Sequence, residues 1–188
     1  MGDLIGKSVK RVEDNRFLKG EGKYTDDFNM PNQTFAVYVR SPHAHANLVS
    51  VDISAAKAMD GVINVFTGKD IKDAGIVGSI CGWQVDFKNG DTMKEPGHPI
   101  LAVDKVRHVG DAVALVIAED IGKAKDAAGA VEVNYKVLDA IVDPKAAAQD
   151  GAPQVHDDVP NNTIFDWELG NKDETDAAFE NAHHITEL

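Results

Sequence analysis

Apolar side chains gather in short blocks over 35–39, 48–53, 62–66, 100–103, 112–118 and 131–135, and their length and β-branched content predict strands. In 48–53 the alternation is regular, with Val49, Val51 and Ile53 on one face and Leu48, Ser50 and Asp52 on the other. The block 112–118 (AVALVIA) is apolar on both faces, which predicts a strand central in its sheet. Helical spacing appears over 121–131, where Ile121, Ala124, Ala127, Ala128 and Val131 form one stripe, and again over 173–182. Shorter helices are predicted at 55–59 with Ser54 as N-cap, at 67–72, and at 144–148, where Pro144 suits a first helical turn.

The remaining stretches are punctuated by turn residues. Residues 1–30 have no sustained period and read as an extended arm with tight turns at Gly20, Gly22 and 29–32. Residues 74–99 carry many glycines together with Pro96 and Pro99, and are expected to be a long excursion rather than core. A connector rich in Gly, Pro and Asn runs over 151–162. A strand-like pattern opens at His183 and stops at Leu188, so the chain is expected to be one piece of a longer protein. The division is then an arm over 1–30, an α+β domain over 31–150, and over 151–188 a connector, a helix and the start of a further region.

Composition narrows the function. The 188 residues and 43% apolar content suffice for the core of one domain. No apolar run approaches the ~20 residues of a membrane span, and no basic-then-hydrophobic leader opens the chain. The single cysteine, Cys81, excludes an internal disulfide and any all-cysteine metal or iron–sulfur site. These features point to the cytoplasm, where the glycosylation-type triplets at Asn32 and Asn161 are chance matches. The net charge of −12 argues against nucleic acid as a partner. Charge is uneven, however: 7–23 is basic on balance and 150–187 is acidic. The basic stretch is either a solvated face or a surface for an acidic partner.

Motifs for self-contained chemistry fail on spacing. Gly2 to Gly6-Lys7-Ser8 has three residues between its glycines where a phosphate loop needs four, and Gly20-Glu21-Gly22 lacks the third glycine of a dinucleotide fingerprint. His43-Ala44-His45 is the best metal candidate, because side chains two apart on an extended chain share a face. A third ligand would have to come from elsewhere, for example Asp52, His98 or His108. A structural or interface role suits the pair better. His183 and His184, as strand neighbours, would face opposite ways. Cys81 has no adjacent cationic cluster to activate it, and no Gly-x-Ser-x-Gly elbow occurs. Trp83 and Trp167 stand in loop-like segments as partner anchors or satellite packing.

Five segments, in order, resemble the start of the large subunit of the xanthine dehydrogenase/aldehyde oxidase family. They are 11–27 (RVEDNRFLKGEGKYTDD); 40–46 (RSPHAHA) with Val51-Asp52 and Ala55-Ala56; Gly61-Val62 with Val65, Thr67-Gly68 and Asp70; 99–110 (PILAVDKVRHVG) with Val113-Ala114 and Val116; and Ala124, Asp126-Ala127, Val131, Val133, Tyr135 and Leu138. Within that family, Phe17, the stretch from Cys81 and 95–99 are most similar to the aerobic carbon monoxide dehydrogenase branch.

The resemblance implies an α+β "hammerhead" domain with a mixed sheet, packed helices and an extended N-terminal arm. It also implies a molybdenum hydroxylase that oxidises carbon monoxide, an aldehyde or a heterocycle. Such an enzyme holds molybdopterin, in its cytosine dinucleotide form, in the remainder of the large subunit. Electrons pass to iron–sulfur clusters on a small subunit and FAD on a medium subunit. The family's pterin-binding and catalytic motifs do not occur here, so no catalytic, cofactor or metal residue is carried over. The domain is expected to be inactive alone and to serve assembly, with Arg11, Arg16, Arg40, His43 and His45 as candidate interface residues. A free-standing binding or adaptor module is the alternative, and a zinc hydrolase built on His43 and His45 is a third reading.

Overall fold

A computed structural model describes residues 5–187. It contains two compact units, Met1–Thr34 and Phe35–Leu188.

The first unit carries a short helix α1 (Asp14–Leu18) and one 3-10 turn (Thr25–Asp27), joined by otherwise irregular chain. The helical turns interrupt the extension expected of this arm. Their causes are local: the Arg11 guanidinium meets the Asp14 carboxylate at 2.8 Å in the first turn of α1. The Phe17 ring also stacks on Tyr24 with centroids 5.8 Å apart. The Asp27 side chain accepts the Tyr24 backbone N–H at 2.8 Å, closing the second turn. The unit buries little: Tyr24 is 66% exposed, and Val12 (94%), Leu18 (88%) and Met30 (73%) stand out in solvent.

The second unit is built on six strands: β1 (Phe35–Arg40), β2 (Ala46–Asp52), β3 (Val62–Thr67), β4 (Lys105–Val106), β5 (Ala112–Ala118) and β6 (Glu132–Val137). They form two three-stranded sheets, ordered β1-β5-β3 and β4-β2-β6. The α+β class is as expected, while the mixed sheet proves to be two sheets whose strand pairs are all antiparallel. As its two-sided apolar pattern predicts, β5 is central, pairing Val116 with Val37 on one side and Val65 on the other.

The helices follow from capping and spacing. In α4 (Ile121–Gly129) the Asp120 side chain accepts the Lys123 N–H, and the helix buries Ala124 and Ala127. Small residues on that stripe let the helix approach the sheet closely. Ala127 joins Ala56 of α2 (Ser54–Lys57) and Val65 and Val116 of the sheet in one core cluster. A second cluster joins Ala46, Ala102, Val106 and Val113, flanked by Leu48, Val51, Val133 and Tyr135. The N-terminus of α3 (Gly68–Asp73) is a capping box between Thr67 and Asp70. The helices α5 (Pro144–Ala147) and α6 (Lys172–Glu180) bury no residue.

Three local sequence expectations are corrected. Residues 100–103 make no strand, although Leu101 and Ala102 are buried; their apolarity reflects burial of an irregular segment that the Ala102 N–H ties to the Ala112 carbonyl at 2.7 Å. Ser54 does not cap α2, because its hydroxyl and backbone N–H both bond the Asp52 carboxylate. No strand forms over 183–187. Residues 1–4, with the opening of the rejected Gly2-to-Ser8 phosphate loop, and Leu188 lie outside the described range.

The long excursion 74–99 is anchored at several points. It forms isolated bridges Ser79 to His98 and Asp86 to Thr92. The 163–167 segment then clamps it, with Lys88 N–H donating to Asp166 O at 2.7 Å and Lys94 N–H to Ile164 O at 2.9 Å. Trp83 and Trp167 meet edge to face at 5.5 Å, so both rings pack on each other while remaining about half exposed.

Candidate interface and adjoining groove

The loop 41–45 carries the chain from the first sheet to the second, and it is bolted in place by hydrogen bonds. The Ser41 N–H donates to Asp111 O at 2.8 Å, and the Gly110 N–H returns to Ser41 O at 2.8 Å. Ser41 is buried, and its hydroxyl accepts from the His43 N–H at 3.0 Å. Bends at Pro42, Ala44 and His45 break the extended geometry that would have put His43 and His45 on one face.

Each histidine accordingly has its own neighbours. His43 meets the Tyr135 ring edge-on at 4.9 Å. His45 is 6% exposed, and its Nδ1 lies 2.8 Å from Asp139 O. A carbonyl can only accept, so Nδ1 carries the proton. Nε2 is then left buried without a partner. Arg40 donates from Nη1 to Gly110 O at 2.8 Å and lies over the Tyr38 ring at 5.2 Å. In the other unit, Arg11 pairs with Asp14 and Arg16 lies 5.0 Å over the Phe17 ring. Of the five predicted residues, the structure brings Arg40, His43 and His45 to one end of the second unit. Arg11 and Arg16 share α1 and its preceding turn.

Sequence reasoning missed a groove nearby. Three cavities of about 490, 460 and 190 Å³ share Gly97, His98 and His156. The largest is apolar on one side, with Val77, Ile80, Met93 and Ile164. The smallest is lined by Arg107, His108 and Asp111 besides the shared residues. An adjoining hollow of about 270 Å³ shares His98, His108 and Asp111 and reaches Arg40. Gly78 makes this packing possible: a Cβ there would sit 1.7 Å from the His98 carbonyl oxygen.

The electrostatics are unusual for so acidic a chain. The Arg107 backbone N–H donates to Asp111 Oδ2 at 3.0 Å and its Nη1 to Lys105 O at 3.2 Å, yet its Nε is buried with no partner. Such a group costs about 1–3 kcal/mol when left unpaired. Lys105 is itself buried and reaches the exposed Asp157 carboxylate at 2.8 Å. That bond holds Asp157 below the usual carboxylate range, with the Arg107 and His45 fields adding to it. Burial pushes His156 below the ordinary histidine range; the Arg107 charge adds to this and Asp158 opposes it. The sequence signal was the presence of His98, Arg107 and His108 within one eleven-residue stretch.

Among the described residues, no three His, Cys, Asp or Glu side chains are placed to hold a metal ion. Cys81 is exposed, its thiol directed at Trp83 O at 2.8 Å. With Cys81 the single cysteine, these residues cannot supply an all-cysteine iron–sulfur site. No described helix is long and apolar enough to cross a membrane.

Residues 19–139 match the family described as aldehyde oxidase and xanthine dehydrogenase, a/b hammerhead domain. The chain is 37% identical to the carbon monoxide dehydrogenase large chain of Afipia carboxidovorans over 97% of its own length and 23% of that protein's. It is 39% identical to the nicotine 6-hydroxylase large subunit of Paenarthrobacter nicotinovorans, over 97% of this chain and 21% of that subunit. The crystal structure of a Cu,Mo-CO dehydrogenase superposes with a TM-score of 0.73 at 38% identity, covering 95% of this chain and 23% of that one. The chain thus spans less than a quarter of the length of these relatives, and it belongs to the aldehyde oxidase and xanthine dehydrogenase family, whose a/b hammerhead domain it carries.

Proposed function

We propose that this chain is the non-catalytic assembly domain at the amino-terminal end of a cytoplasmic molybdenum hydroxylase large subunit. The observation that carries the reading is a match along nearly all of this chain to under a quarter of much longer large subunits. The whole enzyme would oxidise carbon monoxide, an aldehyde or an aromatic heterocycle. Molybdopterin, in its cytosine dinucleotide form, would be held by the remainder of the subunit and supply the oxygen-transfer chemistry. Electrons would leave to iron–sulfur clusters on a small subunit and FAD on a medium subunit.

The part played by these residues is docking. The arm combines exposed Val12, Leu18 and Met30 with the cations Arg11 and Arg16, a mixture suited to covering an acidic partner surface. Arg40, His43 and His45 stiffen the crossing between the two sheets, so that this end of the domain meets its neighbour as a rigid body. Arm 1–30, domain 31–150 and connector 151–188 would then act as strap, platform and lead into the cofactor-bearing region.

The test is co-expression of the full large subunit with its medium and small partners, resolved by gel filtration. The double charge reversal Arg11→Glu/Arg16→Glu is expected to shift partner subunits out of the complex peak at concentrations where the wild type stays assembled. An unchanged elution profile sinks the docking role of the arm.

A further inference from the structure

We infer that Asn89 is a site of spontaneous deamidation, and that its conversion to isoaspartate loosens the tip of the 74–99 excursion from the 163–167 segment. Asn89 is followed by Gly90, and no other asparagine of the chain precedes a glycine. Residues 88–92 are all exposed, so water reaches both the side-chain amide and the peptide that follows it. Gly90 has φ +88° and open space where a Cβ would stand, so no side chain shields its nitrogen from the neighbouring amide.

The turn sets up the reaction. The Asp91 N–H donates to Asn89 Oδ1 at 3.1 Å, an Asx turn that curls the side chain forward and carries Cγ toward the Gly90 nitrogen. The same donor faces the oxygen on which negative charge gathers when Cγ is attacked. The restraint on the reaction is the Gly90 N–H, which donates to Phe87 O at 2.8 Å. That bond lies in an exposed turn, so local opening frees the nitrogen without unfolding either sheet.

Water is the one co-reactant. The Gly90 nitrogen gives its proton to solvent and bonds to Asn89 Cγ. The Cγ–Nδ2 bond breaks, and Nδ2 takes up a proton and leaves as ammonia. Water then opens the cyclic imide: cleavage of its bond to Cγ leaves aspartate, and cleavage of its bond to the main-chain carbonyl carbon leaves isoaspartate. Either way an amide and a water become a carboxylate and an ammonium ion.

The product no longer fits the turn. Asn89 Nδ2 donates to Asp91 Oδ2 at 2.9 Å, whereas a carboxylate in its place repels Asp91. Isoaspartate also inserts one main-chain carbon before Gly90, inside a loop closed by Phe87 N–H to Asp91 O at 2.7 Å. Lys88 stands in that loop and ties it to Asp166, through its N–H at 2.7 Å and its ammonium at 2.8 Å. Lys88 is therefore the contact that conversion loosens, while Lys94 N–H to Ile164 O lies beyond the lengthened turn. This inference goes beyond the assembly role and stands without it.

The test is timed incubation of the full chain in neutral buffer, followed by peptide mapping with mass spectrometry and an assay of released ammonia. Asn89 is expected to convert at least tenfold faster than exposed Asn161, whose following nitrogen belongs to Asn162 rather than to a glycine. Asn89→Gln is expected to abolish the early ammonia release. The isoaspartate form, separated by anion exchange and identified by mapping, is expected to exchange its Lys88 amide proton at least tenfold faster than the parent, with Lys94 unchanged. Conversion no faster at Asn89 than at Asn161, or unchanged Lys88 exchange in the isoaspartate form, overturns the inference.

Discussion

Replacing Gly68 by alanine tests the packing of α3 against the buried 101–102 segment. A Cβ built at Gly68 lies 2.1 Å from Ala102 O, 2.6 Å from Ala102 C and 2.8 Å from Leu101 O. All three are backbone atoms, so no side chain can swing aside. Reaching even the 3.0 Å floor for real Cβ contacts requires a retreat of about 0.9 Å. The offended segment cannot give easily, since Leu101 is 0% exposed and the Ala102 N–H is tied to β5 through Ala112 O. Overpacking of this kind costs about 1–3 kcal/mol, and the rigid backbone on both sides places Gly68→Ala near the upper end. For a chain of this size each kcal/mol lowers Tm by roughly 2–4 °C, so a loss of about 4–12 °C is expected. Gly129→Ala is the matched control. It lies in the last turn of α4 with nothing within 4 Å of its Cβ position, and the same substitution should gain roughly 0.5 kcal/mol. Thermal and urea melts followed by circular dichroism measure both. Equal stability of G68A and wild type, or a loss at Gly129 matching that at Gly68, refutes the packing argument.

Two further predictions concern pH. Asp70 accepts the Thr67 backbone N–H and hydroxyl, each at 2.7 Å, and these bonds hold its carboxyl below the usual range, the hydroxyl contributing most. Its stabilisation is therefore complete above the ordinary aspartate range and disappears as pH falls through the depressed value. Asp70→Asn should lower neutral-pH stability by about 1 kcal/mol and flatten that part of the acid limb, which urea melts at pH 3 to 7 would show. His156 is also depressed, so its neutral form favours the fold fully above about pH 6.5 and ever less as acid protonates the unfolded chain first. An imidazole titration in the absence of added anions should give a midpoint below those of free histidine. A midpoint at or above the ordinary value contradicts the burial of this imidazole.

Much of the fold was legible because its signals are local. The two-sided apolarity of 112–118 could only suit a covered strand, and the 121–131 stripe of alanines needed a closely packed helix. Residues 100–103 misled for a related reason. Apolar periodicity reports burial before it reports backbone geometry, and this segment is buried as irregular chain with the Ala102 N–H bonded to Ala112 O of β5. At 54, an aspartate two residues earlier took the serine's bonds, a competition that spacing alone does not rank. The groove was hidden differently. His98, Arg107 and His156 meet only because the excursion folds back and the 155–167 connector closes over it. No local pattern encodes a meeting of three distant segments. The predicted Arg40 reaches its edge only because β1 lies beside β5.

The clamp of 163–167 on the excursion also sets an order of events during synthesis. All six strands and α4 have been made by residue 137, so both sheets can pair while the rest of the chain is still being translated. The excursion cannot close at that stage, because the backbone partners of Lys88 and Lys94, Asp166 and Ile164, do not yet exist. At about 5–20 residues per second the wait lasts on the order of seconds, long compared with the closing of a short loop. During that interval Ile80, Met93 and Trp83 belong to a tethered, unfinished flap on an otherwise settled platform. That makes the flap the part of the nascent chain most open to chaperones and proteases, and the last to acquire its native partners.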